Sequence, residues 1–318
     1  MNILITGGAG FIGSHLSERL LAQGHTVCSV DNFNDSYDPL LKRRHIEACR
    51  LHPNYYLLEA DIRNQSVLET LFKTHAFDAV IHLAALAGVR ASLANPQAYV
   101  DTNVSGTLTL LECMRRAGVR KLLFASSSSV YGNSMQLPFR EDDPVRQPIS
   151  PYAITKRTCE LLCGNYASLY GIDTFCLRFF TVYGPRQRPE MAISSFMRRM
   201  LDGDLIEVFG DGSTSRDYTY VGDIVEGILQ ALQAIKGFEI FNLGSSQPIT
   251  LRDLIHTIEQ VVGKKALLTY CPEQPGDVER TYADSNKAAQ WFGYKPKTSL
   301  LEGLQQMLPE IRSSLRYR

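Results

Sequence analysis

Thr6-Gly7-Gly8-Ala9-Gly10-Phe11-Ile12-Gly13 follows a short apolar run, Asn2 to Thr6, and precedes a segment in which Leu16, Leu20 and Leu21 recur at helical spacing. The eight residues satisfy G-x-G-x-x-G through Gly8, Gly10 and Gly13, and G-x-x-G-x-x-G through Gly7, Gly10 and Gly13. Glycines here permit a tight turn and close backbone approach to a pyrophosphate, and the helix that follows supplies N–H donors and the positive end of its dipole. A Gly-rich turn alone is ordinary punctuation. Set between a strand and a helix, it reads as a dinucleotide-binding loop. Asp31 ends the next strand, Thr26 to Val30. A carboxylate there accepts both hydroxyls of an adenosine ribose and repels a 2′-phosphate, so NAD is expected over NADP. Asp61, after a third strand, can meet the adenine amino group or cap the helix that begins near Asn64.

Outward from the loop, strand and helix signals alternate. Tyr55 to Glu59, Ala79 to Leu83, Lys121 to Ala125 and Thr174 to Phe179 read as further strands, with helical spacing between them. Strands interleaved with helices predict an α/β fold, a Rossmann-type doubly wound parallel sheet covered on both faces. Beyond about Thr181 the texture changes: Pro185, Pro189, Gly210-Asp211-Gly212 and Pro272 cut the chain into shorter pieces. We expect a dinucleotide domain over residues 1–180 and a smaller C-terminal substrate domain over 181–318. A helix, Ile224 to Ala234, a strand, Glu239 to Leu243, and a second helix, Leu251 to Val262, can be read within it, and segments of this half are expected to return to the main sheet.

Composition closes off several classes. The 318 residues carry 33 Lys plus Arg and 33 Asp plus Glu, without the basic surplus of a nucleic-acid binder. At 44% apolar the chain has the means to build a core. Seven scattered Cys with no C-x-x-C pair argue for a reducing, cytoplasmic setting and against a disulfide framework. No His cluster has metal-ligand spacing, so no metal is assigned. No apolar run is long enough to span a bilayer, so no membrane partner is expected.

Tyr152-Ala153-Ile154-Thr155-Lys156 places a phenol and an ammonium on one face of a helix start, with Ser150 or Pro151 as its cap. The lysine charge favours the phenolate and makes the tyrosine a usable acid or base. The pattern gains weight from Ser126-Ser127-Ser128-Ser129-Val130-Tyr131-Gly132, directly after an apolar strand. Hydroxyls at the carboxyl end of a parallel strand point into the crevice where ligands bind.

Together TGGAGFIG, Asp31-Asn32, HLAA (residues 82–85), SSVYG and Y-x-x-x-K resemble the extended short-chain dehydrogenase/reductases that act on nucleotide sugars, over nearly the whole chain. DNFNDSYDP, HLAALAGVR, LRFFTVYGPRQRPEMA, FGDGSTSRDYTYV and PGDVERTYAD look most like the UDP-glucuronate 4-epimerases among them. The resemblance implies that Tyr152 removes the proton of the sugar 4-hydroxyl, that Lys156 holds the nicotinamide ribose, and that Ser127 hydrogen-bonds the same hydroxyl. It assigns the pyrophosphate to Gly7, Gly10, Phe11, Ile12 and Gly13, the adenosine ribose to Asp31 and Asn32, and the adenine to Asp61 and Ile62. Leu83, Ala84, Ala85, Asn103 and Phe180 line the rest of the NAD channel. Arg216 and Arg280 clamp the UDP diphosphate, Arg188 takes either the diphosphate or the sugar carboxylate, and Arg90, Ala192, Ser128, Ser129 and Thr181 complete the UDP-sugar site. By the same resemblance the helices Asn103 to Ala117 and Ala153 to Tyr170 form a homodimer.

Related 4,6-dehydratases carry an Asp-Glu pair before Val-Tyr-Gly, and UDP-glucuronate decarboxylases a Glu immediately before it; here stand Ser128 and Ser129. Hydroxyls welcome a sugar carboxylate that acidic side chains would repel. The Ser pair therefore favours 4-epimerisation of UDP-glucuronate to UDP-galacturonate over dehydration and decarboxylation. A 4-epimerase of a neutral UDP-hexose is the nearest rival; many of these carry Asn where Thr181 stands. A regulator that merely senses NAD would have no need of Ser127, Tyr152 and Lys156. Three further features read as structural: Cys159 and Cys163 as core residues, Lys42, Arg43 and Arg44 as a solvated helix face, and Arg312, Arg316 and Arg318 as a helix end.

Overall fold

Twelve strands were found in the computed structural model, which describes residues 1–272 and 278–315. They are β1 (Asn2–Thr6), β2 (Thr26–Asp31), β3 (Tyr55–Glu59), β4 (Ala79–His82), β5 (Lys121–Ser127), β6 (Asp173–Phe179), β7 (Thr181–Tyr183), β8 (Leu205–Phe209), β9 (Ser215–Tyr220), β10 (Phe238–Leu243), β11 (Pro248–Thr250) and β12 (Leu267–Cys271). Seven form one parallel sheet in the order β10-β6-β5-β4-β1-β2-β3. This is the doubly wound α/β arrangement the alternation predicts. The order reverses between β1 and β4, where the two connections leave in opposite directions and open a crevice. Thr6 is level with Val30 on one side and His82 on the other, and Ser127 is level with Phe179, so these carboxyl ends share one edge.

Alternation along each strand explains the two layers. Ile3 and Ile5 face the helices Phe11–Ala22 and Val221–Ala234, burying Leu16, Leu20, Ile224 and Ile228. Leu4 and Val80 face the opposite way, onto Leu110, Met114, Cys159 and Cys163 of the helices Gly106–Ala117 and Pro151–Tyr170. A third core, with Ile193, Met197, Ile206, Leu254 and Leu304, joins β8 and β12 to three helices beside the sheet. β10 and the helix Val221–Ala234 come from the C-terminal half yet belong to the main sheet and its cover.

Two differences matter. β5 runs through Ser127 rather than ending at Ala125, because Ser126 and Ser127 keep pairing with Arg178 and Phe179. Lys42 does not share the solvated face of Arg43 and Arg44. It is buried, donating to the carbonyl and the side-chain oxygen of Asn34 at 2.9 and 2.8 Å. Pro275, Gly276 and Asp277 of the PGDVER motif, and Arg316 and Arg318, lie outside the described residues. Among the described residues no helix is long and apolar enough to cross a membrane.

Candidate active site

A cleft of about 1220 Å³ runs along the carboxyl edge of the sheet and ends against β8 and β9. Its floor begins with the glycine loop. Gly7 has φ +72°, and a Cβ there would stand 2.7 Å from the Ala84 nitrogen; a Cβ on Gly13 would stand 2.3 Å from the Gly7 carbonyl oxygen. The loop is therefore closed to any side chain at these two positions. Gly10 precedes the helix Phe11–Ala22 and offers no side-chain cap, which leaves first-turn N–H groups for an anion. Asp31, buried, accepts from the Ala9 and Phe33 amides at 3.2 and 2.9 Å. Burial pushes its carboxyl up, against the pull of Lys42 and of these two amides.

The Tyr-Lys helix is built as expected. Ser150 accepts from the Ala153 amide at 3.2 Å and Pro151 occupies the first turn. Lys156 is buried, donates to the Ala125 carbonyl at 2.7 Å, and lies 4.9 Å over the Phe124 ring. Tyr152 packs edge-on against Tyr99, with ring centroids 6.2 Å apart. Ser127 caps a short turn: its oxygen accepts from the Ser129 amide at 3.2 Å while its hydroxyl donates to Ser129 Oγ at 3.0 Å. Behind it Ser126 donates to buried Glu160 at 2.6 Å. Glu160 also receives Arg178 at 2.8 and 2.9 Å and Arg157 at 2.9 Å. Burial pushes the Glu160 carboxyl up, but these hydrogen bonds outweigh it and hold it below the usual range.

Gly7, Gly10, Phe11, Ile12, Gly13, Asp31, Asn32, Ile62, Leu83, Ala84, Ala85 and Phe180 line the cleft, as do Ser127, Ser128, Ser129, Tyr152, Lys156 and Thr181. Arg90, Arg188, Ala192 and Arg216 line its far end. Three of the residues named from sequence sit elsewhere. Asp61 accepts from Arg63 and Asn32 beside the cleft, and Asn64, not Asp61, caps the next helix. These bonds, led by the one from the Arg63 side chain, lower the Asp61 carboxyl to about 2. Asn103 is buried behind the channel, where it brackets both backbone groups of Leu86. Arg280 is exposed, its backbone bridged to Ser215. Arg188 donates to the Ala87 carbonyl at 3.3 Å and pairs with Glu190 at 3.3 Å.

Other cleft residues went unread in the sequence: Tyr99 against Tyr152, Tyr37 beside Asp31, and Phe209, whose ring lies 4.9 Å from the Arg90 guanidinium. Tyr37 sits in DNFNDSYDP, so that motif carried a signal. Phe209 opens FGDGSTSRDYTYV, so that motif carried one too, although only the fold brings β8 to the cleft. Asp217, next to Arg216, is buried and accepts from the Ser245, Ser246 and Ala283 amides, knotting three segments beneath the arginine.

Residues 3–244 match the NAD dependent epimerase/dehydratase family. The chain belongs to that family. It is 45% identical to a UDP-glucuronate 4-epimerase of Thermodesulfobacterium geofontis, over 95% of this chain and 94% of the relative. The crystal structure of UDP-glucuronic acid 4-epimerase from Bacillus cereus with UDP-glucuronic acid and NAD superimposes with a TM-score of 0.94 at 37% identity, covering 99% of this chain and 100% of that one. UDP-glucose 4-epimerase of Thermotoga maritima with UDP-glucose gives 0.92 at 36% identity, covering 99% and 100%. The residues fit the cofactor of an NAD-dependent epimerase/dehydratase: the side-chain-free loop at Gly7 and Gly13, the open helix start, and Asp31 at the end of β2.

Proposed function

We propose that this chain interconverts UDP-glucuronate and UDP-galacturonate by NAD-dependent 4-epimerisation. The observation that carries the sugar assignment is the hydroxyl wall: Ser127, Ser128, Ser129 and Thr181 line the cleft around Tyr152 and Lys156, and the acidic Glu160 behind them is neutralised by Arg178 and Arg157. The likeness to acid-sugar and neutral-sugar epimerase structures is nearly equal, so the wall rather than the fold makes this choice.

Gly7, Gly10, Phe11, Ile12 and Gly13 would hold the pyrophosphate of NAD, and Asp31 and Asn32 its adenosine ribose; Asp61 acts by fixing Asn32, and Ile62 packs on the adenine. Bound NAD supplies the hydride acceptor at C4 and returns the same hydride. Tyr152 takes the 4-hydroxyl proton as C4 is oxidised, and gives it back once the 4-keto sugar has presented its other face. Lys156, fixed on the Ala125 carbonyl, holds its charge beside the phenol. Ser127 redirects its hydroxyl from Ser129 to the substrate oxygen. The remaining hydroxyls hold the C5 carboxylate, and a held carboxylate cannot easily align its C–C bond with the 4-keto π system, so CO₂ is retained.

Arg216 and Arg188 take the diphosphate side, with bidentate pairing suited to phosphate. Arg90, Ala192 and Arg280 border the nucleotide, Arg280 reaching it from the rim. In this reading residues 1–180 serve the cofactor and 181–318 the UDP-sugar, with β10 lent back to the sheet. A homodimer is supported by Leu108, Ile154, Leu161 and Leu169, large apolar residues left exposed on the two helices named from sequence. Seven free cysteines suit a cytoplasmic setting.

The test is product analysis after incubation with UDP-glucuronate, UDP-glucose and UDP-N-acetylglucosamine. UDP-galacturonate should be the main product, with UDP-glucuronate preferred over UDP-glucose by roughly 10²-fold in kcat/KM, since a site built for hydrogen bonds rejects an analogue lacking them. A pentose product would mean a decarboxylase. Equal use of UDP-glucose would assign the site to neutral hexoses.

A further inference from the structure

His82 opens the HLAA motif but does not line the cleft. It is 1% exposed at the end of β4 and touches two hydroxyls: Thr6 Oγ1 at 2.6 Å from Nδ1 and Thr107 Oγ1 at 2.9 Å from Nε2. The proton order follows from counting. Thr107 donates its one hydroxyl proton to the Asn103 carbonyl at 2.5 Å. It can then only accept from His82, so Nε2 carries the hydrogen. Nδ1 is therefore bare and accepts from Thr6, whose oxygen in turn accepts from the Ala84 amide at 3.3 Å. With the hydrogen on Nδ1, Thr6 would lose its acceptor and two lone pairs would face each other across the Nε2 contact.

We propose that His82 is a positioning residue: as the neutral Nε2–H tautomer it sets the spacing between the cofactor loop and the helical turn that carries Asn103. Thr6 leads directly into Gly7. Asn103 lies in a π-helical turn, Val100–Ser105, and its amide group holds Leu86 N–H and C=O at 2.8 and 3.0 Å and Thr155 Oγ1 at 3.0 Å. Thr155 stands between Tyr152 and Lys156 and donates to the Tyr152 carbonyl at 2.8 Å. One chain of hydrogen bonds thus runs from the pyrophosphate loop through His82 to the channel wall and the catalytic helix. Burial, reinforced by the Lys156 charge, lowers the His82 imidazole to about 3, which keeps both roles fixed at physiological pH. The π turn lies between the helical segments Pro96–Tyr99 and Gly106–Ala117, and π turns are frequent at functional sites.

The inference rests on the NAD-dependent epimerase reading, and its tests do not need the sugar to be correct. Histidine-¹⁵N NMR of the wild-type protein should show one imidazole with a protected Nε2–H and an unprotonated Nδ1; an Nδ1–H tautomer overturns the proposal. His82→Leu should release NAD at least about tenfold faster, the scale of one lost hydrogen bond, and lower kcat with little change in KM. His82→Gln, which offers one acceptor and one donor, should recover most of both. Folded His82→Leu protein with wild-type NAD release and kcat refutes the role. Should His82→Leu fail to fold, Thr107→Val cuts the same chain at nearly constant volume; unchanged NAD release in that variant also refutes it. Normal NAD effects without UDP-glucuronate turnover would overturn the proposed substrate and leave this inference standing.

Discussion

Replacing Glu160 by Gln tests the structure behind the serine wall. The Glu160 and Arg178 side chains are 0% and 1% exposed and joined by two hydrogen bonds. Glutamine keeps the shape but removes the charge, and turns an NH₂ toward the arginine. Breaking a buried pair from one side costs about 3–5 kcal/mol, because the remaining charge stays buried without its counter-ion. At roughly 2.1 cal/mol/K per residue, 318 residues give an unfolding entropy of about 0.67 kcal/mol/K, so Tm should fall by about 4–8 °C. Circular dichroism melts of wild type, Glu160→Gln and Glu160→Gln/Arg178→Met measure this. The double variant should lie closer to wild type than the single, since both buried charges are gone. Activity at 25 °C should also drop in Glu160→Gln, because one amide oxygen cannot serve Ser126, Arg178 and Arg157 together, and Ser126 adjoins Ser127. A single variant melting within 1 °C of wild type, or a double variant worse than the single, refutes the reasoning.

Tyr152→Phe keeps the ring packed on Tyr99, so it should fold and bind NAD while losing about 10²–10⁴ in kcat; near-normal turnover removes Tyr152 from the mechanism. Gly13→Ala drives a Cβ to 2.3 Å from a backbone carbonyl, so the purified variant should carry little or no NAD; wild-type NAD content measured after denaturation contradicts the loop assignment. His45, lowered to about 4 chiefly by burial, stays neutral when folded but has an ordinary pKa near 6.5 when unfolded. Its contribution is full above pH 6.5 and is lost as pH falls toward 4. Moving from pH 7.5 to 5.5 should thus destabilise wild type by about 1.4 kcal/mol more than His45→Leu, read from urea midpoints; parallel pH dependences would show that His45 is not held neutral.

Short-range chemistry was legible in the sequence. The strand–glycine–helix run, Asp31 at the next strand end, the Ser run after β5, and Tyr152 and Lys156 one turn apart each declare themselves within a few residues, because backbone geometry places neighbours at fixed offsets. The resemblance to nucleotide-sugar enzymes gave roles to these residues and brought in others, such as Arg188, Arg216 and Arg280, that no local pattern marks. Tertiary structure decided what depends on partners far along the chain. Lys42 looks like one more surface cation beside Arg43 until the loop around Asn34 folds over it. Asn103 looked like channel lining and is instead the clamp between Leu86 and Thr155. Glu160 and Asp217 had no local signal: each carboxylate is buried because donors from other segments converge on it, Ser126 and Arg178 on one, and Ser245 and Ala283 on the other. β10 joins the sheet because its edge partner, β6, offers unpaired backbone groups, a fact recorded nowhere in its own six residues. Spacing specifies which groups face the same way; only packing decides which distant groups meet, since burial makes an unpaired polar group costly and so selects its partner.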